Sequence, residues 1–177
     1  MKRIMSASED VQYEFLNSIT HGEVSIAKTI ELIKDFLEEK PNNEYSLVIG
    51  TDSHERETAD DGKIINLVTA VVVHRKGFGG KYFWKKRNIK NVRSLREKIY
   101  AETLDSLNFA LFFVPLLRET LNGDSPKYNL EIHIDVGERG DTRDMIKEVV
   151  GMATGNGFVV KTKPHAYGAS YIADKHA

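Results

Sequence analysis

Apolar residues occur along this chain in two kinds of pattern, and each pattern predicts a different kind of element. Runs rich in β-branched residues predict strands, at residues 45–53, 64–73, 82–84, 129–136 and 158–160. Apolar positions three and four residues apart predict helices, over residues 24–40, 91–121, 142–155 and 165–176. Pro115 is expected to kink or divide the second helix, because its ring removes a backbone donor and clashes with the preceding turn.

The order of these elements predicts an α/β fold. Three consecutive strands joined by turns indicate an antiparallel meander, and the charged residues 54–62 are expected to form the first hairpin loop. Later strands, each reached through a helix, should run parallel to a neighbour by right-handed crossovers. The predicted architecture is a mixed five-stranded sheet with helices on both faces, a topology that resembles ribonuclease H. Residues 1–44 are predicted to be an N-terminal helical appendage, and residues 45–177 the ribonuclease H-like domain.

Composition narrows the possible chemistry. The chain has 177 residues, a formal net charge of -1 and no cysteine. The absence of cysteine excludes disulfides, thiolate catalysis and cysteine zinc sites. No run of eighteen apolar residues indicates a membrane helix, so we expect a cytoplasmic protein with no membrane partner. Sequence patterns do not determine its oligomeric state.

Four acidic residues are predicted to gather at one edge of the sheet. Asp52 and Asp135 each follow an apolar strand, and these two strands are neighbours in a ribonuclease H-like sheet. Glu102 falls in the apolar stripe of the long helix, where an acid is costly unless it is paired or metal-bound. Asp174 shares a face of the terminal helix with Ser170.

Each of these acids also has a purely structural interpretation. Asp52 and Asp135 are ordinary turn residues, Glu102 would be neutralised by a buried arginine, and Asp174 would be a solvated tail residue. Asp105 is a lesser candidate for the cluster, and Glu97 is predicted to face solvent.

Several segments resemble the YkuK-type family of ribonuclease H-like proteins. They are Ile49-Gly-Thr-Asp-Ser53, the helix containing Glu102, His133-Ile-Asp-Val-Gly137, and Lys163-Pro164 followed by residues 169–174. The resemblance covers roughly residues 45–177. It implies a ribonuclease H-like fold and a predicted relation to nucleases, with the acid pattern falling on Asp52, Glu102, Asp135 and Asp174.

A cluster of four carboxylates would bind Mg²⁺ or Mn²⁺, because both ions prefer oxygen ligands. Two such ions can activate water and stabilise a leaving oxygen in phosphodiester hydrolysis. We therefore predict a metal-dependent nuclease in which the four acids are both catalytic residues and metal ligands. His54, His165 and His176 lie near these acids in the sequence and are candidate proton shuttles or surface residues.

A basic stretch at residues 75–98 predicts a nucleic-acid partner, either RNA, DNA or a hybrid. It contains ten lysines and arginines against one acid, with aromatic residues interleaved. The candidate contacts are Lys81, Lys85, Lys86, Arg87, Lys90 and Arg93. The same residues also fit a solvated surface, and the aromatic residues also fit a core.

Two other functions compete with the nuclease. Residues 135–140 before a helix are similar to the phosphate loop of actin-like kinases, but a chain of this length lacks the second domain that those proteins use. The stronger alternative is a ribonuclease H-like scaffold that binds nucleic acid or protein without cleaving it.

Overall fold

The computed structural model describes residues 14–57, 63–123, 126–138 and 142–176. The first thirteen residues of the predicted appendage therefore lie outside the described residues, as do residues 139–141 of the kinase-like loop. The described residues form seven strands, which are β1 (Phe15–Ser18), β2 (Gly22–Ser25), β3 (Tyr45–Glu57), β4 (Lys63–Arg75), β5 (Gly80–Lys90), β6 (Tyr128–His133) and β7 (Val159–Lys161). Within the same ranges there are four α-helices, which are α1 (Ile26–Glu38), α2 (Leu95–Leu121), α3 (Ile146–Thr154) and α4 (Gly168–His176).

All seven strands form one mixed sheet in the order β2-β1-β5-β4-β3-β6-β7. β3, β4 and β5 are antiparallel, while β6 pairs parallel to β3 and β7 parallel to β6. The α/β architecture and the mixed sheet agree with the prediction, but the predicted number of five strands is wrong. The two additional strands, β1 and β2, have four residues each, which is too short for an alternating pattern to stand out.

Helices cover both faces of the sheet, as predicted. α2 spans 27 residues without a break at Pro115, and it packs with α1 and α3 over one face in the main hydrophobic core. α4 covers the other face, where its Ile172 and Ala173 contact Val68 of β4 and Trp84 of β5. We call these the α2 face and the α4 face. No helix within the described ranges is long and apolar enough to cross a membrane.

The first hairpin differs from its prediction in its first four residues, while residues 58–62 of the predicted loop lie outside the described residues. Residues 54–57 continue β3 instead of forming a loop, because each remains paired with β4, as His54 is with Asn66. β6, in contrast, leaves the sheet after His133, which pairs with Gly50. The β3–β5 meander therefore extends beyond β6, and Asp52 lies inside its strand rather than at the strand's end.

Candidate active site

Strand alternation places Asp52 on the α4 face of the sheet. The pairing of β3 with β4 is regular throughout, with no bulge. Thr51 and Ser53, the residues on either side of Asp52, both contact α2. Asp52 therefore points to the opposite face of the sheet. The Asp52 carboxylate accepts a hydrogen bond from the Ser53 backbone N–H through Oδ1 at 2.8 Å.

Glu102 lies on the α2 face, as its position in the apolar stripe predicts. Only 5% of the residue is exposed. The Ser53 hydroxyl donates a 2.6 Å hydrogen bond to Glu102 Oε1, and Ser53 is therefore a site residue that the acid pattern alone does not identify. The pKa of Glu102 is raised to about 8, chiefly by burial and to a smaller extent by the negative charges of Asp52 and Asp135, against the opposing effects of the Ser53 hydrogen bond and the Lys98 charge.

Asp135 lies just beyond the end of β6. His133 of β6 pairs with Gly50 of β3, and Asp135 and Asp52 each come two residues after their member of this pair. Its Oδ1 is a buried atom with no hydrogen-bond partner among the described residues. Lys163 Nζ approaches that oxygen to 3.1 Å as an ion pair, but without the angles of a hydrogen bond.

Asp174 is the least enclosed of the four acids. Its side chain is 74% exposed on α4, and Oδ1 lies 3.7 Å from His54 Nε2. His54 follows Asp52 by two residues on β3, so both point toward α4. His54 Nε2 is itself buried and makes no hydrogen bond to any described residue. His176, in contrast, stacks on Trp84 with ring centroids 3.7 Å apart.

Asp105 and Glu97 have structural partners. Asp105 is buried and accepts hydrogen bonds from Arg87 Nε and Nη2. The arginine pairing considered for Glu102 is therefore found one helical turn later, at Asp105. Glu97 is exposed, as predicted, and accepts a 2.7 Å hydrogen bond from the Arg93 backbone N–H near the start of α2.

The predicted nucleic-acid contacts are divided between different environments. Lys81, Lys86, Lys90 and Arg93 are exposed, Arg87 is half-buried in its pair with Asp105, and Lys85 is 6% exposed. Burial lowers the pKa of Lys85 to about 8, although the negative charge of Asp105 opposes that effect. Lys86 occupies the same cross-strand row as Asp52, since both pair with Val68. It thus lies on the α4 face, roughly 10 Å from Asp52 at two strand spacings.

The aromatic residues of this stretch belong mainly to the fold. Phe83 and Trp84 are buried, and Tyr82 is half-buried. Phe78, in the turn before β5, is exposed.

The donor chemistry of the acids suits a divalent cation. Carboxylate oxygens are the ligands that Mg²⁺ and Mn²⁺ prefer, and Asp135 Oδ1 is a buried oxygen that accepts no hydrogen bond from the part of the chain that the structure describes. Across the described ranges, however, no three His, Asp or Glu side chains are already grouped to hold an ion. Strand alternation directs Asp52 and Glu102 to opposite faces of the sheet, and Lys163 lies against Asp135.

His133 is a second residue that the acid pattern misses. It is buried at the end of β6, and its Nδ1 accepts hydrogen bonds from the backbone N–H groups of Tyr167 and Gly168, both at 3.2 Å. Nε2 must then carry the ring proton, and it lies 3.2 Å from Glu131 Oε2. His133 thereby fixes the start of α4 on the sheet. A histidine within an apolar strand is the only signal of this role in the sequence.

Comparison with known proteins gives a consistent family assignment. A family model described as ribonuclease H-like matches residues 28–177. The chain is also 31% identical over 166 residues to YkuK, an uncharacterized protein of Bacillus subtilis (strain 168), covering 89% of this chain and 94% of YkuK. No solved structure gives a significant match. The sheet, the helices on both faces and these two matches agree with the predicted resemblance. The chain therefore belongs to the ribonuclease H-like family and is a YkuK-type member of it.

Proposed function

We propose that this protein is a metal-dependent nuclease that hydrolyses phosphodiester bonds in RNA, DNA or an RNA/DNA hybrid. Asp52, Glu102, Asp135 and Asp174 would hold Mg²⁺ or Mn²⁺. The observation that carries the proposal is the environment of Glu102, which is buried and makes no ion pair with a described residue. The charges of Asp52 and Asp135 act on it, so a cation between these acids would relieve both the burial cost and the repulsion.

The side chains around Glu102 determine where protons reside. Because Ser53 donates to Oε1, the proton of the neutral acid belongs on Oε2. The bond from the Ser53 N–H fixes Oδ1 of Asp52 and leaves Oδ2 to bind a ligand. His54 Nε2 is on the same face as Asp52 and makes no hydrogen bond to a described residue, so it is well placed to move a proton. Bound divalent ions would activate the attacking water and stabilise the leaving oxygen.

The α4 face also offers a path for a polyanion. Lys86 and Lys90 are both exposed, and they follow Tyr82 and Trp84 along that face of β5. A nucleic-acid strand that ran from these lysines toward Asp52 would keep its phosphates near positive charge until it reached the acids.

Calorimetric titration with Mg²⁺ and Mn²⁺ tests the metal site. We expect wild type to bind and Asp52→Asn and Asp135→Asn to lose binding. Asp35→Asn, on the exposed side of α1, makes the same chemical change away from the acids and should bind normally. Absence of metal binding by wild type would refute the proposal.

Cleavage of labelled RNA, DNA and hybrid tests the reaction. Wild type and Asp35→Asn should cleave the same substrate class, whereas Asp135→Asn should lose more than the roughly 10–100-fold that changes outside the ligand shell cost. Equal cleavage by all proteins would identify a contaminating nuclease and count against the proposal.

The alternative function is a binding module that does not cleave. It is favoured by the absence of a preformed metal group among the described residues. Nucleic-acid binding that requires Lys86 and Lys90 but is indifferent to metal and to Asp52→Asn would select this alternative.

A further inference from the structure

Lys163 contacts three consecutive residues of the segment that follows β6. Its backbone N–H donates a 2.8 Å hydrogen bond to the Val136 carbonyl. Its aliphatic stem lies against Gly137, where an added Cβ would come within 3.2 Å of Lys163 Cβ. Its Nζ lies 3.1 Å from Asp135 Oδ1. Backbone, stem and ammonium are therefore each positioned by a different neighbour.

Lys163 places a positive charge beside the Asp135 carboxylate without forming a hydrogen bond to it. Asp135 Oδ1 is buried and receives no hydrogen bond from any described residue, so the ammonium compensates its charge only electrostatically. The lysine side chain is 56% exposed, and water can solvate the ammonium if it moves away. A cation held in this way is exchangeable, since its departure breaks no hydrogen bond with Asp135.

We propose that Lys163 is a tethered counter-ion that competes with the divalent cation for Asp135 Oδ1 and so weakens metal binding by the site. This inference depends on the proposed function, because it concerns the same acids. In the metal-free protein Lys163 reduces the mutual repulsion of the carboxylates. When a metal ion binds, the ammonium must leave Asp135 for solvent.

Neutral and charge-conserving variants separate competition from packing. Lys163→Met keeps an unbranched stem of similar length and removes the charge, whereas Lys163→Arg keeps the charge. Lys161→Met removes an exposed lysine two residues earlier on β7 and controls for net charge. In calorimetry at low ionic strength, we expect Lys163→Met to bind Mn²⁺ roughly two- to tenfold more tightly than wild type. Lys163→Arg and Lys161→Met should stay within about twofold of wild type.

Further measurements tie the effect to Asp135. In the Asp135→Asn background, Lys163→Met should give no gain in affinity, because the competing contact is already lost. High salt should reduce the difference between wild type and Lys163→Met. Lys163→Gln serves as a second neutral variant if Lys163→Met does not fold.

The outcomes for the two proposals are distinct. If wild type binds Mn²⁺ and both neutral variants bind equally well, the counter-ion proposal is overturned and the nuclease proposal stands. If wild type does not bind but Lys163→Met does, Lys163 is a competitor and the proposed function fails. If neither protein binds, both proposals are wrong.

Discussion

Glu102 shows how one residue can satisfy two conflicting demands. It lies in the apolar stripe of α2, where its methylene groups help to cover the sheet, and its carboxyl group receives a hydrogen bond from Ser53. Its pKa of about 8 means that the metal-free protein keeps this acid largely neutral at pH 7 and avoids the cost of a buried charge.

This elevated pKa makes stability depend on pH. Between pH 4.5 and about 8, the folded state holds a proton that the unfolded state has released, so stability falls as pH rises through this window. We expect a loss on the order of a few kcal/mol for wild type without metal. Glu102→Gln should lack this component and be the more stable protein above pH 8. Urea unfolding from pH 5 to 9 measures both curves, and parallel curves would contradict the elevated pKa.

Residue chemistry alone predicted part of the candidate site. The helical period placed Glu102 toward the sheet, because that placement depends only on spacing within one element. The pairing of Asp105 with Arg87 and the approach of Lys163 to Asp135 join separate elements. Those contacts depend on strand order and on the path of the chain after β7, which spacing does not encode.

At the scale of elements, α4 is held at its first residue as well as along its apolar face. Gly168 starts the helix, and a Cβ there would come within 2.6 Å of Val48 Cγ1. That close approach allows the N–H groups of Tyr167 and Gly168 to reach His133 Nδ1. Burial lowers the pKa of His133, which favours the neutral ring that these bonds require.

Removing His133 should loosen α4. His133→Ala leaves two N–H groups without an acceptor and opens a cavity, which should cost about 2–4 kcal/mol of unfolding free energy. His133→Asn places an oxygen near the position of Nδ1 and should recover part of this loss. Chemical denaturation gives the energies, and limited proteolysis reports the release of α4. A change below about 0.5 kcal/mol in His133→Ala would show that the contact does not anchor the helix.

The elements themselves were predictable where their patterns were long. The strand at 64–73 is a long β-branched run and the helix at 91–121 has apolar residues three and four apart, and they appear as β4 and α2. The extension of β3 through residues 54–57 was missed because its side chains are polar, and these residues are strand only because β4 pairs with them.

At the scale of the whole molecule, the near-zero net charge conceals an uneven distribution. The exposed cations Lys86 and Lys90 lie on the face that carries Asp52 and His54, while Lys85 and Arg87 point toward α2. Only the first pair is therefore positioned to meet a polyanion on the α4 face.

The double substitution Lys86→Ser with Lys90→Ser should weaken nucleic-acid binding for all sequences alike. Loss of two phosphate contacts should reduce the slope of log K against log salt by roughly 1.4–1.8. Lys28→Ser with Lys34→Ser removes two lysines of α1 and should leave the slope unchanged. Fluorescence anisotropy at several salt concentrations measures this, and equal slopes for the two double variants would refute the assigned surface.

The β3–β5 meander extends beyond the end of β6, and this has a consequence for how a nucleic acid would be recognised. From Thr51 to Glu57, the outer edge of β3 pairs with no described strand, giving roughly 20 Å of main-chain amides and carbonyls beside the acids. This exposed strand edge presents the same main-chain groups along its length, so it would contact the sugars and phosphates of a nucleic acid rather than its base edges. A polynucleotide bound along this edge would be held through its sugar-phosphate backbone. Cleavage at this position would therefore depend little on the identity of the bases.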